Sequence, residues 1–286
     1  MSNIKNFYIR RIFRLMPALL FYITTFTIIL KLLGAEITLN HLLSGIFYFA
    51  NYYHLFIGYP LHSPIPILWS LSVEEHFYIL FPIFIYFLRA KPKPAIYIMI
   101  SLLFCVLAWR FYLYNECIDG SVICGIKGRI RTQASDAIFD TIIYGALAAY
   151  CYKNFAIFHS KKAFLIACLG VLVSLVFRNP EFRETLRYSL QAFCISIIII
   201  NLSMGCKFEL ITNILKSKIM NFIGRISYSL YLFHFGVLVT IEAISGKDRL
   251  SNITEIMIYF LLSFLLATTS YYAIEKPFLK LRSLHN

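Results

Sequence analysis

The chain has 286 residues, 59% of them hydrophobic, and its mean hydropathy is +0.72. Soluble domains contain about 45–50% apolar residues, so this composition excludes an ordinary soluble enzyme and predicts an all-α protein that crosses a membrane several times. The net charge of +13 does not predict a nucleic-acid partner, because an excess of Lys and Arg is typical of the cytoplasmic loops of membrane proteins.

Long apolar runs predict eight membrane-spanning helices. They cover residues 15–33, 67–88, 95–114, 133–152, 163–177, 188–205, 218–240 and 253–275. A further uncharged stretch, residues 42–58, is short and rich in Tyr, Asn and His. No linker or polar domain interrupts the runs, so residues 1–286 are predicted to form a single membrane-embedded domain.

The distribution of Lys and Arg decides whether residues 42–58 cross the membrane. If they do not cross and the N-terminus is cytoplasmic, the inner segments hold 16 Lys and Arg and the outer segments hold 9. If they do cross, the counts become 12 inside and 13 outside. Only the first arrangement obeys the positive-inside rule. We therefore predict eight spans, both termini in the cytoplasm, and residues 42–58 as a re-entrant or interfacial helix.

The stretch of residues 69–78 carries ionisable side chains inside the second predicted span. Glu74, Glu75 and His76 follow one another there, and a charge at membrane depth costs about 2.5–3.5 kcal/mol. Helical spacing puts Ser72 on the same face as His76. The pattern indicates catalysis or transport, although a purely structural polar network would produce it too.

Two later spans also contain polar side chains. Asp136 and Asp140 lie at the outer end of the fourth span, one turn apart on one face. In the seventh span, Ser227, Tyr231 and His234 form a polar stripe that ends near mid-membrane. A lone His on an apolar helix is commonly a satisfied core residue, but polar side chains in spans face the bundle interior, so the stripe also fits a cavity wall.

Basic residues cluster at the predicted inner ends of two spans. Arg10, Arg11 and Arg14 precede the first span, and Arg225 lies near the inner end of the seventh. They are either cytoplasmic anchors or a site for a phosphorylated ligand, because guanidinium groups bind phosphate oxygens in pairs. A basic inner mouth, a mid-membrane His and outer carboxylates together indicate group transfer from a cytosolic phosphate-bearing donor to an outer acceptor.

At these residues the chain resembles the integral-membrane acyltransferases of the acyltransferase-3 type, which O-acetylate bacterial surface polysaccharides. The similar segments, in the family's order, are residues 7–17, 69–82, 139–147, 226–234 and 274–278. The resemblance implies a bacterial inner-membrane protein among membrane lipids, with acetyl-CoA as cytoplasmic donor. The implied acceptor is a glycan hydroxyl of a surface polysaccharide, such as a lipopolysaccharide O-antigen, or of its lipid-linked precursor.

The resemblance and the residue patterns together lead to three sets of site residues. The predicted catalytic residues are Glu74, Glu75, His76 and His234. The residues predicted to bind the CoA donor are Arg10, Arg11, Arg14 and Arg225. The residues predicted to bind the acceptor are Trp69, Ser72, Tyr78, Asp140 and Tyr231. No His, Cys, Asp or Glu spacing predicts a metal site.

The chain departs from the family at its start. Family members usually begin with two further spans, the first of which carries a His thought to be catalytic, and this chain starts just before the third. No residue of the printed sequence corresponds to that His. The expectation is a chain that transfers little by itself, or one that uses His76 or His234 instead.

Two other functions stay open at this point, and so does the bonding of two cysteines. A lipid-linked glycan flippase would also contain intramembrane charges, but it usually shows inverted repeats, which the sequence lacks. An inactive relative that lacks the first two spans is the other alternative. Cys117 and Cys124 lie in a predicted outer loop and form either a disulfide or two free thiols.

Overall fold

The computed structural model describes residues 2–88, 92–116, 122–155, 160–203, 209–246, 250 and 252–282. Every regular element in these ranges is helical, which confirms the predicted all-α class. The helices are α1 (Ser2–Leu32), α2 (Leu39–Ile46), α3 (Ala50–Phe56), α4 (Trp69–Leu88), α5 (Pro92–Asn115), α6 (Val122–Gln133), α7 (Ser135–Phe155), α8 (Lys161–Val176), α9 (Pro180–Glu184), α10 (Leu186–Ser203), α11 (Glu209–Leu215), α12 (Lys218–Ser245), α13 (Ile253–Ser270) and α14 (Lys276–Arg282), with a 3₁₀ turn at Pro66–Leu68 and a π turn at Tyr271–Glu275.

Six helical segments among the described residues are long and apolar enough to cross a membrane. They are Ile4–Leu32, Pro66–Phe84, Lys93–Asn115, Leu186–Ser203, Lys218–Ser245 and Ile253–Leu281. The multi-pass membrane architecture is therefore confirmed. The other two predicted spans correspond to α7, which carries two Asp residues, and to α8, which has only 16 residues. The number of eight spans stays a prediction.

Residues 42–58 do not form one long helix. Tyr48 lies between α2 and α3, and its φ of 59° interrupts any right-handed helix. Helices of 8 and 7 residues are about 12 and 10 Å long, far short of the ~30 Å hydrocarbon core. The break agrees with the prediction that this segment does not cross the membrane, and the side on which it lies stays a prediction.

The chain divides into two compact units, and a single domain stays a prediction. The first unit comprises Met1–Leu71 and Ser217–Asn286, and the second comprises Ser72–Lys216. In the first unit α1 packs against α12, where a Cβ at Gly236 would lie 2.4 Å from the Phe26 ring. Only a glycine permits this close approach of the two helices.

Further contacts in the first unit position the helices that matter for function. The Tyr22 hydroxyl of α1 donates to the Pro64 carbonyl oxygen at 2.7 Å, next to the turn that leads into α4. α12 also packs along α13. Asn252 and Glu255 form a capping box at the N-terminus of α13, which satisfies backbone N–H groups that the helix itself leaves without partners.

The second unit is built around α5, α7, α8 and α10, which pack against one another. Phe77 of α4, Met99 and Leu103 of α5 and Ile143 of α7 form one buried apolar cluster. α8 and α10 form another around Cys194. Apolar side chains therefore hold these helices together, and the polar groups described below are exceptions within them.

The cysteines bear on one sequence prediction. Free thiols occur at Cys105, Cys151, Cys168 and Cys194. Cys117 and the side chain of Cys124 lie outside the described residues. The disulfide considered between these two residues therefore stays a prediction.

Candidate active site

A cavity of about 470 Å³ lies between α12 and α13 of the first unit. α12 contributes the stripe predicted from the sequence, Ser227, Tyr231 and His234, and α13 contributes Ser263. Apolar and aromatic side chains complete the wall: Leu230, Tyr259, Phe260 and Phe264. The stripe therefore lies at the wall of this cavity, and the roles of Tyr231 and His234 stay predictions.

The imidazole of His234 is oriented by its own helix. Its Nδ1 lies 3.0 Å from the carbonyl oxygen of Leu230, one turn earlier. Because a carbonyl oxygen can only accept a hydrogen bond, Nδ1 carries the proton, and in the neutral ring Nε2 has the lone pair. An imidazole held in one tautomer at a cavity wall has the arrangement that a general base requires.

The hydroxyl of Tyr231 is engaged by other protein groups. It donates to the Ile67 carbonyl oxygen at 2.5 Å, and it accepts from the Ser70 hydroxyl at 2.6 Å. The Tyr231 ring lies 6.0 Å from the His234 ring, between centroids. Tyr231 thus ties α12 to the first turn of α4, and its predicted contact with a substrate stays a prediction.

The stretch of residues 69–78 lies at the start of α4, as one helical run. Trp69 is the first residue of the helix, Ser72 is fully buried and Glu75 is nearly so, whereas Glu74 is exposed. Consecutive helical residues point about 100° apart, which explains why two adjacent carboxylates have such different surroundings. The predicted roles of these residues are not decided by their burial.

His76 of α4 makes a polar contact within the second unit. Its Nδ1 lies 2.7 Å from the hydroxyl oxygen of Ser135 at the start of α7. A hydroxyl can donate or accept, so either tautomer of His76 fits this contact. Tyr78 packs against the apolar cluster around Phe77. The roles assigned to His76 and Tyr78 stay predictions.

Asp140 lies in a buried polar cluster with Arg110 and Ser189. The Arg110 guanidinium contacts the two carboxylate oxygens at 3.2 and 2.5 Å, and the Ser189 hydroxyl donates to Oδ2 at 2.6 Å. Arg110 also donates to the Ser189 hydroxyl oxygen, and both members of the ion pair are fully buried. The cluster joins α5, α7 and α10, so this geometry gives no support to the predicted role of Asp140 in substrate binding.

Asp136, one turn before Asp140, has a different environment. It is exposed, and its Oδ2 accepts a hydrogen bond from the indole nitrogen of Trp109 at 2.8 Å. The two acidic residues that the sequence placed on one helix face therefore differ in burial. One belongs to the interior of the second unit and the other to its surface.

The arginines predicted to bind the donor lie in α1 and α12 of the first unit. Arg10 and Arg11 are partly exposed, and Arg14 and Arg225 are exposed. Arg14 attracts the carboxylate of Glu275 electrostatically, and Glu275 is itself buried and accepts from the Ser229 hydroxyl. These guanidinium groups can meet an anion from water, and Arg14 is in addition attracted by the Glu275 carboxylate.

Three residues of these sites were missed as functional candidates in the sequence. Arg110 had a signal, because a charge inside an apolar run requires a buried partner. Ser135 and Ser263 had none, since a Ser in a helix has the same appearance whether it faces a cavity, a His or its own backbone. No group of three or more His, Cys, Asp and Glu side chains that could hold a metal occurs in the described part of the chain.

Comparison with known proteins identifies the relatives of the chain. A family model described as an acyltransferase domain matches residues 2–272. The chain is 28% identical over 300 residues to the O-acetyltransferase OatA of Staphylococcus aureus strain NCTC 8325, and equally to OatA of strain COL. Each match covers 97% of this chain and 48% of the relative, so the chain spans about half the length of these curated proteins. No solved structure matches it.

Proposed function

The chain belongs to the acyltransferase family whose domain model matches residues 2–272, and from this premise we propose that it transfers an acetyl group from acetyl-CoA to a glycan hydroxyl. The acceptor is a cell-surface polysaccharide or its lipid-linked precursor. Similarity to proteins named O-acetyltransferase supports transfer of acetyl to oxygen. The observation that carries the proposal for this chain is the α12–α13 cavity, which is lined by His234 in a defined orientation.

His234 is the general base of the proposed reaction. Its Nε2 takes the proton of the acceptor hydroxyl while the hydroxyl oxygen bonds to the acetyl carbonyl carbon. As the carbon–sulfur bond of the thioester breaks, the same nitrogen returns the proton to the leaving thiolate. The Leu230 carbonyl oxygen holds Nδ1–H throughout and stabilises the imidazolium. The products are an acetyl ester and CoA.

Residues of α4 are proposed to serve the acceptor. The exposed carboxylate of Glu74 is suited to hydrogen bonds with sugar hydroxyls, because an ionised carboxylate accepts several at once. The aromatic side chains of Trp69 and Tyr78 present the flat surfaces and polar edges that bind polar ligands with little loss of conformational entropy. His76 and Glu75 are the alternative catalytic groups on this helix.

Arg10, Arg11, Arg14 and Arg225 are proposed to bind the phosphate groups of acetyl-CoA at the cytoplasmic side. Arg14→Lys keeps the charge but removes the planar fork of donors, so it should weaken acetyl-CoA binding while the protein still inserts into the membrane. Equal acetyl-CoA affinity in the wild-type chain, Arg14→Lys and Arg14→Ala would assign Arg14 to anchoring and to its attraction for Glu275.

The proposed location is a bacterial inner membrane, with both termini in the cytoplasm. The split of 16 inner against 9 outer Lys and Arg supports this orientation. Reporter domains fused after Ser121 and after Asn286 test it. The reporter after Ser121 should lie outside the cytoplasm, and the reporter after Asn286 should lie in the cytoplasm. A cytoplasmic reporter after Ser121 would contradict the orientation.

An acetyl-transfer assay tests the proposed reaction. Membranes that contain the chain are given acetyl-CoA labelled in the acetyl group together with a polysaccharide fraction, and ester-bound label is measured. Glu74→Gln keeps the size of the side chain and removes its charge, so it should abolish transfer while the protein still migrates as a folded species. Movement of lipid-linked glycan across the membrane without any acetylation would contradict the proposal.

A further inference from the structure

Ser263 is buried in α13, and its hydroxyl group has no partner in the part of the chain that the structure describes. Its exposed fraction is 3%, and its Oγ has no hydrogen-bond partner among the described residues. A buried hydroxyl without a partner costs about 1–3 kcal/mol. Because Ser263 lines the α12–α13 cavity, an occupant of that cavity can supply the partner that the described residues do not.

Other hydroxyl groups of α13 show the arrangement that Ser263 does not adopt. Thr268 donates to the Phe264 carbonyl oxygen at 2.7 Å, and Thr269 donates to the Leu265 carbonyl oxygen at 2.9 Å. A bond to the carbonyl group four residues earlier is the usual solution for a hydroxyl in an apolar helix. Ser263 makes no such bond within the described structure, so its hydroxyl has no acceptor there.

The cavity wall restricts the chemistry of its occupant. Leu230, Phe260 and Phe264 make most of the surface apolar, and no Lys, Arg, Asp or Glu occurs among its described lining residues. A phosphate group or a complete sugar would leave most of its polar atoms unpaired there. A short apolar group with one carbonyl oxygen fits better, because Ser263 can donate to that oxygen while carbon and sulfur contact the rings.

We infer that the α12–α13 cavity binds the acetyl-thioester end of the donor, with the Ser263 hydroxyl donating to the acetyl carbonyl oxygen. The inference rests on the proposed function, which supplies the thioester. When the acceptor oxygen bonds to the carbonyl carbon, negative charge develops on the carbonyl oxygen, and the Ser263 hydroxyl stabilises it. The carbon–sulfur bond then breaks, and His234 carries the acceptor proton to sulfur.

Isotope-edited infrared spectroscopy tests this hydrogen bond without turnover. The purified chain in lipid nanodiscs is mixed, without acceptor, with acetyl-CoA that carries carbon-13 in the acetyl carbonyl. In the wild-type chain the bound carbonyl band should shift to lower frequency than the free band. Ser263→Ala should lose this shift and Ser263→Thr should retain it. The matched control is Thr268→Ala, which removes a hydroxyl already bonded to its own helix and should keep the shift.

The spectra separate failure of the inference from failure of the proposed function. A bound band that is identical in the wild-type chain and in Ser263→Ala overturns the role of Ser263. Absence of a bound band in every variant overturns acetyl-CoA as the donor.

Steady-state kinetics provide an independent reading of the same inference. Removal of one donor to a developing oxyanion typically lowers kcat about 10²–10³-fold, so Ser263→Ala should fall in this range with little change in KM for acetyl-CoA. Ser263→Thr should restore most of kcat. Rates in Ser263→Ala equal to those in Thr268→Ala would overturn the inference even if the wild-type chain transfers acetyl groups.

Discussion

The α12–α13 cavity and the Arg110–Asp140–Ser189 cluster both place polar side chains within apolar helices, but they differ in how their hydrogen bonds are completed. In the cluster, guanidinium, carboxylate and hydroxyl bind one another, and only Nε of Arg110 lacks a partner among the described residues. At the cavity, the Ser263 hydroxyl has no partner in the described part of the chain, and the proton-accepting nitrogen of His234 is the one that does not bond the Leu230 carbonyl group.

This difference separates structural from functional polarity. A buried network in which charged and polar groups bind one another stabilises one arrangement of helices, and it leaves few groups for a ligand. A polar group at a cavity wall that lacks a hydrogen-bond partner lowers the stability of the fold. Such groups are retained where a ligand provides the missing hydrogen bond. The comparison therefore favours the cavity over the cluster as the place of chemistry.

Among the variants that test this comparison, His234→Gln is expected to have the largest effect on acetyl transfer. Gln keeps polar atoms in the cavity but cannot take a proton, so the rate should fall about 10²–10⁴-fold while the thermal midpoint changes little. The control is His41→Gln, which removes an imidazole from α2, outside the cavity. Transfer rates are measured with labelled acetyl-CoA, and equal rates in the two variants would remove the cavity from the reaction.

Asp140→Asn tests the structural role of the Arg110–Asp140–Ser189 cluster through the free energy of unfolding. The substitution leaves the fully buried Arg110 without a charged partner, and breaking a buried ion pair typically costs about 3–5 kcal/mol. The free energy of unfolding in detergent should fall accordingly, while Asp136→Asn on the exposed face should have a much smaller effect. Loss of acetyl transfer with unchanged unfolding would instead support the substrate-binding role predicted from the sequence.

Tyr231→Phe applies the same distinction within the cavity, because the Tyr231 hydroxyl already forms hydrogen bonds with other protein groups. The variant loses the bonds to Ile67 and Ser70, each worth about 0.5–1.5 kcal/mol. We expect a drop in the free energy of unfolding of about 1–3 kcal/mol and less than a tenfold loss of acetyl transfer. Tyr259→Phe, on the other cavity helix, is the control for stability. A loss of activity as large as in His234→Gln would refute a structural role for this hydroxyl.

The smallest expected effect concerns His41 in α2. Its imidazole accepts a hydrogen bond from the backbone, and it can also take up a proton as the pH falls. Nδ1 of His41 accepts from the Thr38 backbone N–H at 3.1 Å, and burial lowers the pKa of this imidazole below its ordinary 6.5. Only the neutral ring accepts at Nδ1. The stabilisation is therefore fully present above about pH 6.5 and is lost as the pH falls through the lowered pKa.

Amide hydrogen exchange of α2, corrected for the intrinsic pH dependence, measures this effect. Exchange should become faster below about pH 6.5 in the wild-type chain. His41→Gln keeps a capping side chain that does not titrate, so its corrected exchange should not change with pH. The same pH dependence in both chains would show that the cap does not respond to His41.

The sequence by itself determined the class of the protein and the order of its polar residues along each helix. Apolar runs of about 20 residues are sufficient for membrane helices, because a bilayer leaves the backbone few alternatives. The stripe of Ser227, Tyr231 and His234 could also be predicted from the sequence, since residues one or two turns apart share a helix face by local geometry alone. The motif segments indicated the family, which the match to residues 2–272 confirms.

Only the tertiary structure decided which of these polar groups are satisfied. Ser263 and Thr268 are both hydroxyl residues of one apolar helix, yet one lines a cavity and the other bonds its own backbone. Tyr231 finds its acceptor 164 residues away in the chain, and Arg110 finds Asp140 30 residues away. Hydrogen-bond partners between helices depend on how the helices pack, and packing is set by many apolar contacts that no local pattern contains.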